Sequence, residues 1–250
     1  MRPLALSIAG SDSCGGAGIQ ADLAAFAALG VRGATAITAV TAQNRSGVRA
    51  VQVLPATLVR EQVDAVFEEE PVRAVKLGML AEASIIEAVA ASLRQHRAPA
   101  VVIDPVMIAS SGARLLRADA VAALRRELLP LADCLTPNLD EAAALLEAPR
   151  AQDEAQMLAQ GRALLALGPR AVLMKGGHAP LTEAVDLLVQ PQSVQRFAAP
   201  WIIGADGHGS GCTLSAAVAA GLALGDALEV AVGAAKRHLG RWLGERFRSS

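Results

Sequence analysis

The segment Gly207-His208-Gly209-Ser210-Gly211-Cys212-Thr213 is the part of this sequence best suited to chemistry. Its three alternating glycines leave backbone N–H groups unobstructed, and an apolar stretch that predicts a helix follows at once. Unpaired amides at a helix N-terminus favour an anion, most of all where negative charge develops during a reaction. The sequence therefore predicts an anion hole at Gly209, Ser210 and Gly211. A glycine turn that begins the helix for steric reasons alone is the alternative.

Cys212 lies at the predicted start of this helix. A helix N-terminus stabilises a thiolate, so we expect the pKa of this thiol to be lowered. A small core residue in an alanine-rich helix is the alternative interpretation.

Polar residues also follow several of the predicted strands. In doubly wound α/β folds, ligands bind beyond the carboxyl ends of the strands, so these positions are the ones to examine. They are Gly10-Ser11-Asp12, Thr41-Ala42-Gln43-Asn44, Gly78-Met79, Asp104-Pro105-Val106-Met107, Pro137-Asn138-Leu139-Asp140-Glu141 and Lys175-Gly176-Gly177-His178. One edge of the sheet is thus expected to offer carboxylates, amides and a lysine.

Three other glycine motifs would indicate a different function. The run from Gly16 to Ala21 fits the dinucleotide fingerprint G-x-G-x-x-A, but that motif expects an acidic residue about 20 positions further on. No carboxylate occurs between Asp22 and Glu61. A Walker A loop is missing, and Ser210 is not in a G-x-S-x-G elbow, since His208 stands where the first glycine should be. His208 is also too near Cys212 in sequence to suit a catalytic triad. An NAD-dependent oxidoreductase, a P-loop kinase and a cysteine or serine hydrolase are therefore disfavoured.

The elements that must position these residues alternate between short β-like runs and longer helical patterns, which is typical of βαβ units and a mostly parallel sheet. Strands are predicted at residues 4–8, 33–40, 48–54, 74–77, 100–103, 134–136, 171–174, 185–189 and 194–197, the last two as a hairpin, with a turn at residues 43–47. Helices are predicted at residues 17–29, 55–70, 212–224 and 227–247. We find no internal repeat or linker and expect one domain over residues 1–250.

The composition narrows the class of partner and the compartment. The 250 residues include 23 basic and 24 acidic side chains, so no field attracts polyanions, and the absence of tyrosine leaves little for stacking on bases. Nucleic-acid binding is thus not expected. The three cysteines fit neither a disulfide framework nor a zinc site, which indicates the cytoplasm. The uncharged stretch at residues 212–225 suits a buried helix better than a membrane span, and no signal peptide is predicted.

Taken together, the motifs resemble the bacterial hydroxymethylpyrimidine/phosphomethylpyrimidine kinases of thiamine synthesis, in the same order and over essentially the whole chain. The matching motifs are AGSD at 9–12, GGAGIQADL at 15–23, TAVTAQN at 38–44, KLGML at 76–80, DPVM at 104–107, TPNLDEA at 136–142, LMKGGH at 173–178 and HGSGCTLS at 208–215. The resemblance implies a ribokinase-like three-layer α/β/α fold with a central, mostly parallel sheet and a small β flap near residues 43–53.

The resemblance also implies the activity. It would be an ATP- and Mg²⁺-dependent transfer of phosphoryl groups to 4-amino-5-hydroxymethyl-2-methylpyrimidine, first to its hydroxymethyl group and then to the monophosphate. A cytoplasmic homodimer acting on a small molecule, with no nucleic acid or membrane partner, is expected.

By resemblance, each site residue receives a role. The residues that would bind the pyrimidine are Gly10, Asp22, Gln43, Met79 and Val106. Those that would bind the nucleotide or act on its phosphates are Lys175, Asn138, Gly209, Ser210 and Gly211. Asp104 and Glu141 would hold Mg²⁺, mainly through water, or would instead be helix-start carboxylates. Cys212 would act as general base, with Asp22 orienting the substrate hydroxyl.

The sequence departs from the family pattern at three places. Ser210 stands where the family commonly has Thr, Asp206-Gly207 where it commonly has Asn-Thr, and Cys14 at a position that usually lacks cysteine. The acidic Asp206 near the anion hole would weaken nucleotide affinity. A pyridoxal/pyridoxine kinase is the alternative within the superfamily, and a catalytically silent nucleotide-binding domain is the alternative from another class.

Overall fold

The computed structural model describes residues 2–44, 47–107, 115–177, 183–202 and 207–248. The strands are β1 (Leu4–Asp12), β2 (Arg32–Asn44), β3 (Gly47–Val53), β4 (Val72–Leu77), β5 (Val101–Ile103), β6 (Cys134–Leu135), β7 (Val172–Lys175), β8 (Ala184–Val189) and β9 (Val194–Ala199). The helices are α1 (Gly18–Ala28), α2 (Ala56–Glu69), α3 (Ala83–Gln95), α4 (Ala118–Ala123), α5 (Leu139–Leu146), α6 (Glu154–Leu165), α7 (Ser210–Leu224) and α8 (Leu228–Arg248).

The strands form one nine-stranded sheet in the order β3-β2-β1-β4-β5-β6-β7-β8-β9. The six strands from β2 to β7 in this order are parallel. Strand β3 at one end and β8 near the other run in the opposite direction, and β9 pairs antiparallel with β8. The mostly parallel sheet, the edge hairpin of β2 and β3, and the late hairpin are therefore confirmed. The carboxyl ends of all six parallel strands lie at the same edge, which is where a ligand site is expected.

The two faces of the sheet are covered by different kinds of side chain. On β1, Leu4, Leu6 and Ile8 join a large aliphatic core, while Ala5 faces the other side. The same alternation recurs on β4, where Val75 and Leu77 face the first core. Because successive side chains of a strand point to opposite faces, the two apolar layers read directly from the sequence. The result is a three-layer arrangement with helices on both sides.

The second face is lined by alanine-rich helices that approach the sheet closely. Helix α7 is buried over most of its length and lies between the sheet and α8, which explains why it is apolar on all sides. A Cβ on Gly221 would lie 2.7 Å from the Ala231 side chain, so α7 and α8 can meet only where a glycine stands. None of the helices in the described ranges is both long and apolar enough to cross a membrane.

The boundaries of two elements differ from the prediction. Strand β2 continues to Asn44 because its pairing with β3 persists that far, so the predicted turn at residues 43–47 is wrong for Gln43 and Asn44. Arg45 and Ser46 lie outside the described residues. Helix α7 begins at Ser210, two residues before the predicted start, since Gly209 already adopts the capping conformation.

Candidate active site

The glycine turn before α7 is built against the turn that follows β1. Gly209 caps α7 with φ +80°, and a Cβ on it would lie 1.8 Å from the Gly16 carbonyl oxygen, so only glycine fits. No side chain from the described part of the chain caps this helix. The Ser210 N–H donates to the Gly207 carbonyl oxygen at 3.0 Å, while the positive dipole end of the helix still favours an anion at this turn.

The turn after β1 is closed from inside by one carboxylate. Asp12 accepts backbone N–H bonds from Cys14, Gly16 and Ala17 at 3.0, 3.0 and 2.8 Å. These are the amides that a dinucleotide phosphate would need if this turn were a Rossmann fingerprint. Because Asp12 already occupies them, the geometry disfavours the oxidoreductase alternative.

Lys175 and Asp104 meet across the carboxyl edge of the sheet. Lys175 ends β7, and its Nζ lies 2.7 Å from Asp104 Oδ1, just after β5, and 3.8 Å from Glu141 Oε2. Burial opposes the charge on this lysine, but the two carboxylates outweigh burial and raise its pKa. A Cβ on Gly211 would lie 3.2 Å from Lys175 Nζ, so the ammonium group faces the start of α7.

Asp104 is held by further donors. The hydroxyls of Thr136 and Ser215 lie 3.4 and 3.3 Å from its two carboxylate oxygens. Ser215 lies on α7 and Thr136 follows β6, so one buried carboxylate connects two strands to the helix. The structure thus brings together Asp104, Lys175, Glu141 and Gly211, as the resemblance implies.

Glu141 takes part in a capping box at the start of α5. The Asn138 side chain accepts the N–H of Asp140 and of Glu141, and Glu141 Oε2 accepts the N–H of Asn138 at 2.7 Å. Glu141 is therefore a helix-start carboxylate, which was the alternative to its metal role. Burial raises the pKa of Glu141 to about 7, and nearby Asp104 adds to the effect while Lys175 opposes it. Two buried carboxylates with one ammonium group leave excess negative charge, which is what a bound cation would neutralise.

Asp22 forms an ion pair that the sequence did not indicate. Both carboxylate oxygens accept from Lys76 Nζ, at 2.8 and 2.9 Å, and the Ser7 hydroxyl donates to the same carboxylate at 2.6 Å. Asp22 and Lys76 are both fully buried. The role of Asp22 in binding substrate stays a prediction, and its carboxylate is already committed to two protein partners. The signal for Lys76 was a lysine inside the apolar run of β4.

Cys212 lies within the electrostatic reach of this pair. Burial raises the pKa of its thiol to about 11, with Asp22 and Asp104 adding to the effect, while Lys76 and a hydrogen bond from the Gly18 N–H lower it. The expectation of a lowered pKa is wrong for the ligand-free protein. The helix dipole is present, but enclosure of a half-buried thiol beside two carboxylates dominates.

Apart from Asp22 on α1, the residues expected to bind a pyrimidine lie at or just after the ends of β1, β2, β4 and β5. A Cβ on Gly10 would lie 3.1 Å from Met79 Sδ, so the methionine covers this glycine closely. Gln43 Nε2 lies 3.3 Å from His208 Nε2, which places the end of β2 beside the glycine turn. Val106 is half-buried and donates its N–H to the Asp104 carbonyl oxygen at 2.8 Å. His178 and Asp206 lie outside the described residues.

The C-terminal helix supports the same turn. Arg246 on α8 donates a hydrogen bond to the His208 carbonyl oxygen at 2.8 Å, and its guanidinium group lies 4.2 Å from the centre of the Trp242 ring. Stacking on the indole limits the freedom of the arginine side chain. The carbonyl immediately before Gly209 is thus fixed from outside the sheet.

An uncapped glycine turn, a lysine, and two buried carboxylates at the carboxyl edge of a parallel sheet define a small-molecule kinase, in which positioning and charge neutralisation do most of the work. A profile of the phosphomethylpyrimidine kinase family matches residues 12–249. The chain is 55% identical over 239 residues to the hydroxymethylpyrimidine/phosphomethylpyrimidine kinase of Rhizobium meliloti, covering 96% of this chain and 90% of that one. The chain belongs to the phosphomethylpyrimidine kinase family.

Solved structures agree with this assignment. The crystal structure of phosphomethylpyrimidine kinase from Clostridium difficile superposes with a TM-score of 0.86 at 41% identity, over 97% of this chain and 100% of that one. An ADP complex of Bacillus subtilis pyridoxal kinase superposes with a TM-score of 0.87 at 37% identity, over 95% and 90%. The ribokinase-like three-layer fold implied by the motifs is therefore confirmed.

Proposed function

We propose that this protein transfers the γ-phosphoryl group of ATP to the hydroxymethyl group of 4-amino-5-hydroxymethyl-2-methylpyrimidine, and then a second phosphoryl group to the monophosphate. The observation that supports this proposal most is that Lys175, Asp104 and the start of α7 meet at the carboxyl edge of the sheet, where Gln43 also lies beside the glycine turn. A phosphoryl donor and an alcohol acceptor would then face each other.

The phosphate end supplies positive charge. Lys175 and the amides of Gly209, Ser210 and Gly211 would stabilise the oxygens of the migrating phosphoryl group, and Asn138 at the adjoining loop would contact the nucleotide. Bound Mg²⁺, held by Asp104 and Glu141 mainly through water, would neutralise charge on the phosphates. The donor set fits this ion, since both carboxylates are buried and, among the described residues, Lys175 is the cation that forms an ion pair with each of them.

The acceptor end supplies shape and hydrogen bonds. The amide of Gln43 offers one donor and one acceptor, which suit a ring nitrogen beside an exocyclic amine. Met79, Val106 and the buried glycine Gly10, which Met79 covers, would form the wall that a flat aromatic ring needs. The pair of Asp22 and Lys76 would lie beneath the reacting hydroxyl.

We propose that Cys212 accepts the proton of that hydroxyl. The thiol must first be ionised, and Lys76 and the Gly18 N–H are the groups that favour the thiolate. Positive charge brought by the nucleotide's metal would add to them. Asp22 would orient the hydroxyl through its place beside Lys76.

The deciding experiment is a coupled assay of ADP release with the hydroxymethylpyrimidine, its monophosphate and pyridoxine compared in parallel. We expect both pyrimidines to be turned over with a higher kcat/KM than pyridoxine. Pyridoxal kinase activity is the second candidate, because a pyridoxal kinase superposes as well as the pyrimidine kinase does. A preference for pyridoxine would favour that candidate. If none of the three compounds leads to ADP release, a catalytically silent nucleotide-binding domain would be favoured.

We further propose that residues 1–250 act as one kinase domain, as a homodimer in the cytoplasm. One continuous sheet from β3 to β9 supports the single domain. The edge hairpin exposes Val40 and Val51, at 47% and 41%, which supports a second copy at this edge. Sedimentation equilibrium at several concentrations tests the dimer, and a single monomer mass throughout would contradict it.

A further inference from the structure

Three side chains with metal-binding chemistry converge between the turn after β1 and the turn before α7. Asp12 Oδ2 lies 3.1 Å from His208 Nε2 and 3.3 Å from Cys14 Sγ, and the sulfur lies 4.0 Å from the same imidazole nitrogen. Asp12 is buried, His208 is largely buried, and Cys14 is exposed. The phosphoryl transfer proposed above uses none of the three side chains.

The spacing of these atoms matches that of ligands around one small ion. Zinc bonds to sulfur at about 2.3 Å and to nitrogen or oxygen at about 2.0–2.2 Å, so tetrahedral ligand atoms lie about 3.2–3.8 Å apart. The Asp12 Oδ2–His208 Nε2 distance of 3.1 Å would have to lengthen slightly and the Cys14 Sγ–His208 Nε2 distance of 4.0 Å to shorten slightly, while the Oδ2–Sγ distance of 3.3 Å already lies in this range.

The donor set also selects the metal. Thiolate and imidazole ligands suit zinc and not Mg²⁺, which prefers oxygen. The Asp12 carboxylate is oriented by the Cys14 N–H, which donates to Oδ1 at 3.0 Å, and by the N–H groups of Gly16 and Ala17, which donate to Oδ2, the ligand oxygen itself, at 3.0 and 2.8 Å. Hydrogen bonds of this kind fix the orientation of a metal ligand. We propose that Asp12, Cys14 and His208 form a binding site for one zinc ion, with a fourth position open to water.

Zinc would replace two contacts that Asp12 now makes. The thiol of Cys14 would release its proton to solvent, and His208 would coordinate through an unprotonated Nε2 with its proton on Nδ1. The hydrogen bonds from Cys14 and His208 to the carboxylate would give way to metal bonds.

The site lies where a bound ion would interfere with transfer. A bound zinc ion would join the turn after β1 to His208, which directly precedes the anion hole. The ion would also bind the imidazole nitrogen that lies 3.3 Å from Gln43 Nε2. Zinc is therefore expected to inhibit phosphoryl transfer. This consequence rests on the proposed function, whereas binding of the ion does not.

Cobalt(II) is the probe for binding, because cobalt bound to a thiolate gives a near-ultraviolet charge-transfer band that zinc abolishes by competition. We expect the band in the unaltered protein and in Cys212→Ser, and its loss in Cys14→Ser, with an apparent affinity lowered by at least about 10- to 100-fold. Cys134 is fully buried and is present in all three proteins, so it serves as an internal control for a thiol that added cobalt does not reach. A band that survives in Cys14→Ser, or no band in the unaltered protein, overturns the proposal.

Activity provides the second measurement. In the ADP-release assay with excess Mg²⁺, zinc should inhibit the unaltered protein and a zinc-selective chelator should restore it. Cys14→Ser should have the same activity without zinc and resist inhibition. Equal inhibition of both proteins overturns the assignment to this site, while a lack of ADP release before zinc is added counts against the proposed function instead.

Discussion

Asp22 and Lys76 form a fully buried ion pair in which both carboxylate oxygens lie within 2.9 Å of the ammonium nitrogen. Burial opposes the charge on Lys76, but Asp22 raises its pKa, and the lysine in turn favours the thiolate of Cys212. The pair therefore affects both the free energy of unfolding, because both charges are buried, and the ionisation of the Cys212 thiol.

Lys76→Met should be strongly destabilising, because it leaves the Asp22 carboxylate buried without its partner. We expect the free energy of unfolding to fall by about 3–5 kcal/mol, measured by urea denaturation. Arg73→Met, on the same strand but exposed, should change it by less than about 0.5 kcal/mol. The double variant Lys76→Met/Asp22→Asn should recover part of the loss, and a single-variant cost below that of Arg73→Met would refute the pairing.

Alkylation of Cys212 should be slow at neutral pH in the ligand-free protein. Since its pKa is raised to about 11, the rate with iodoacetamide should rise about tenfold per pH unit from pH 7 towards pH 11. Mass spectrometry in a Cys14→Ser background measures this rate. The same shift contributes stability that is present below the ordinary pKa of 9.0 and is lost as pH rises towards 11. A rate plateau below pH 9 would contradict this prediction.

Cys212→Ala tests the general base directly. Loss of a base should lower kcat for the hydroxymethylpyrimidine by about 10²- to 10⁴-fold. Cys14→Ser provides the matched cysteine control and should leave kcat unchanged in zinc-free buffer. If kcat of Cys212→Ala falls by less than about tenfold, another group accepts the proton.

Glu141→Gln separates the charge of Glu141 from its capping role. Glutamine can still accept the Asn138 N–H, so the helix start is kept, but the Mg²⁺ concentration for half-maximal transfer should rise by about 10- to 100-fold. Because the pKa of Glu141 is raised to about 7, the folded protein favours the protonated carboxyl group. The resulting contribution to stability is fully present below the ordinary pKa of 4.5 and is lost as pH rises through 7. At pH 8 the Gln variant should therefore be at least as stable as the unaltered protein.

Glu141→Ala is the control for this prediction. It removes the charge and the hydrogen bond from the Asn138 N–H to the Glu141 side chain, and it should cost about 1 kcal/mol in urea denaturation. Equal Mg²⁺ dependence in Glu141→Gln and the unaltered protein would remove Glu141 from the metal site.

Gly209→Ala should disturb the glycine turn. The new Cβ would lie 1.8 Å from the Gly16 carbonyl at a φ of +80°, so we expect a loss of more than about 2 kcal/mol together with weaker ATP binding. At Gly207 the nearest atom to a new Cβ, within the described ranges, is Ser210 Oγ at 4.0 Å. Gly207→Ala should thus stay within about 0.5 kcal/mol by thermal denaturation. Equal effects of the two substitutions would show that close contact with Gly16 is unimportant.

Much of the fold could be predicted because its signals are local. Alternating apolar residues on β1 and β4, and the turn between β8 and β9, follow from neighbouring positions in the chain. The pair of Asp22 and Lys76, 54 positions apart, has no local pattern. The contact of Cys14 with His208 spans 194 positions and was equally inaccessible.

The thiol of Cys212 shows why the site was harder to predict than the fold. Its position at a helix start is a local feature, and it was recognised from the glycine turn. The sign of its pKa shift depends on Asp22, Asp104 and enclosure by the protein, which only the folded chain brings together. Local sequence thus placed Cys212 at the helix start correctly but predicted the wrong direction for its pKa shift.

The hydrogen bond from Arg246 to the His208 carbonyl has a practical consequence for handling this protein. A truncation that removes Arg246 would also remove this hydrogen bond. An affinity tag fused at the carboxyl terminus would lie close to it. A tag preceding β1 would be kept away from the catalytic edge by the length of a nine-residue strand, about 30 Å. Purification handles are therefore best placed at the amino terminus.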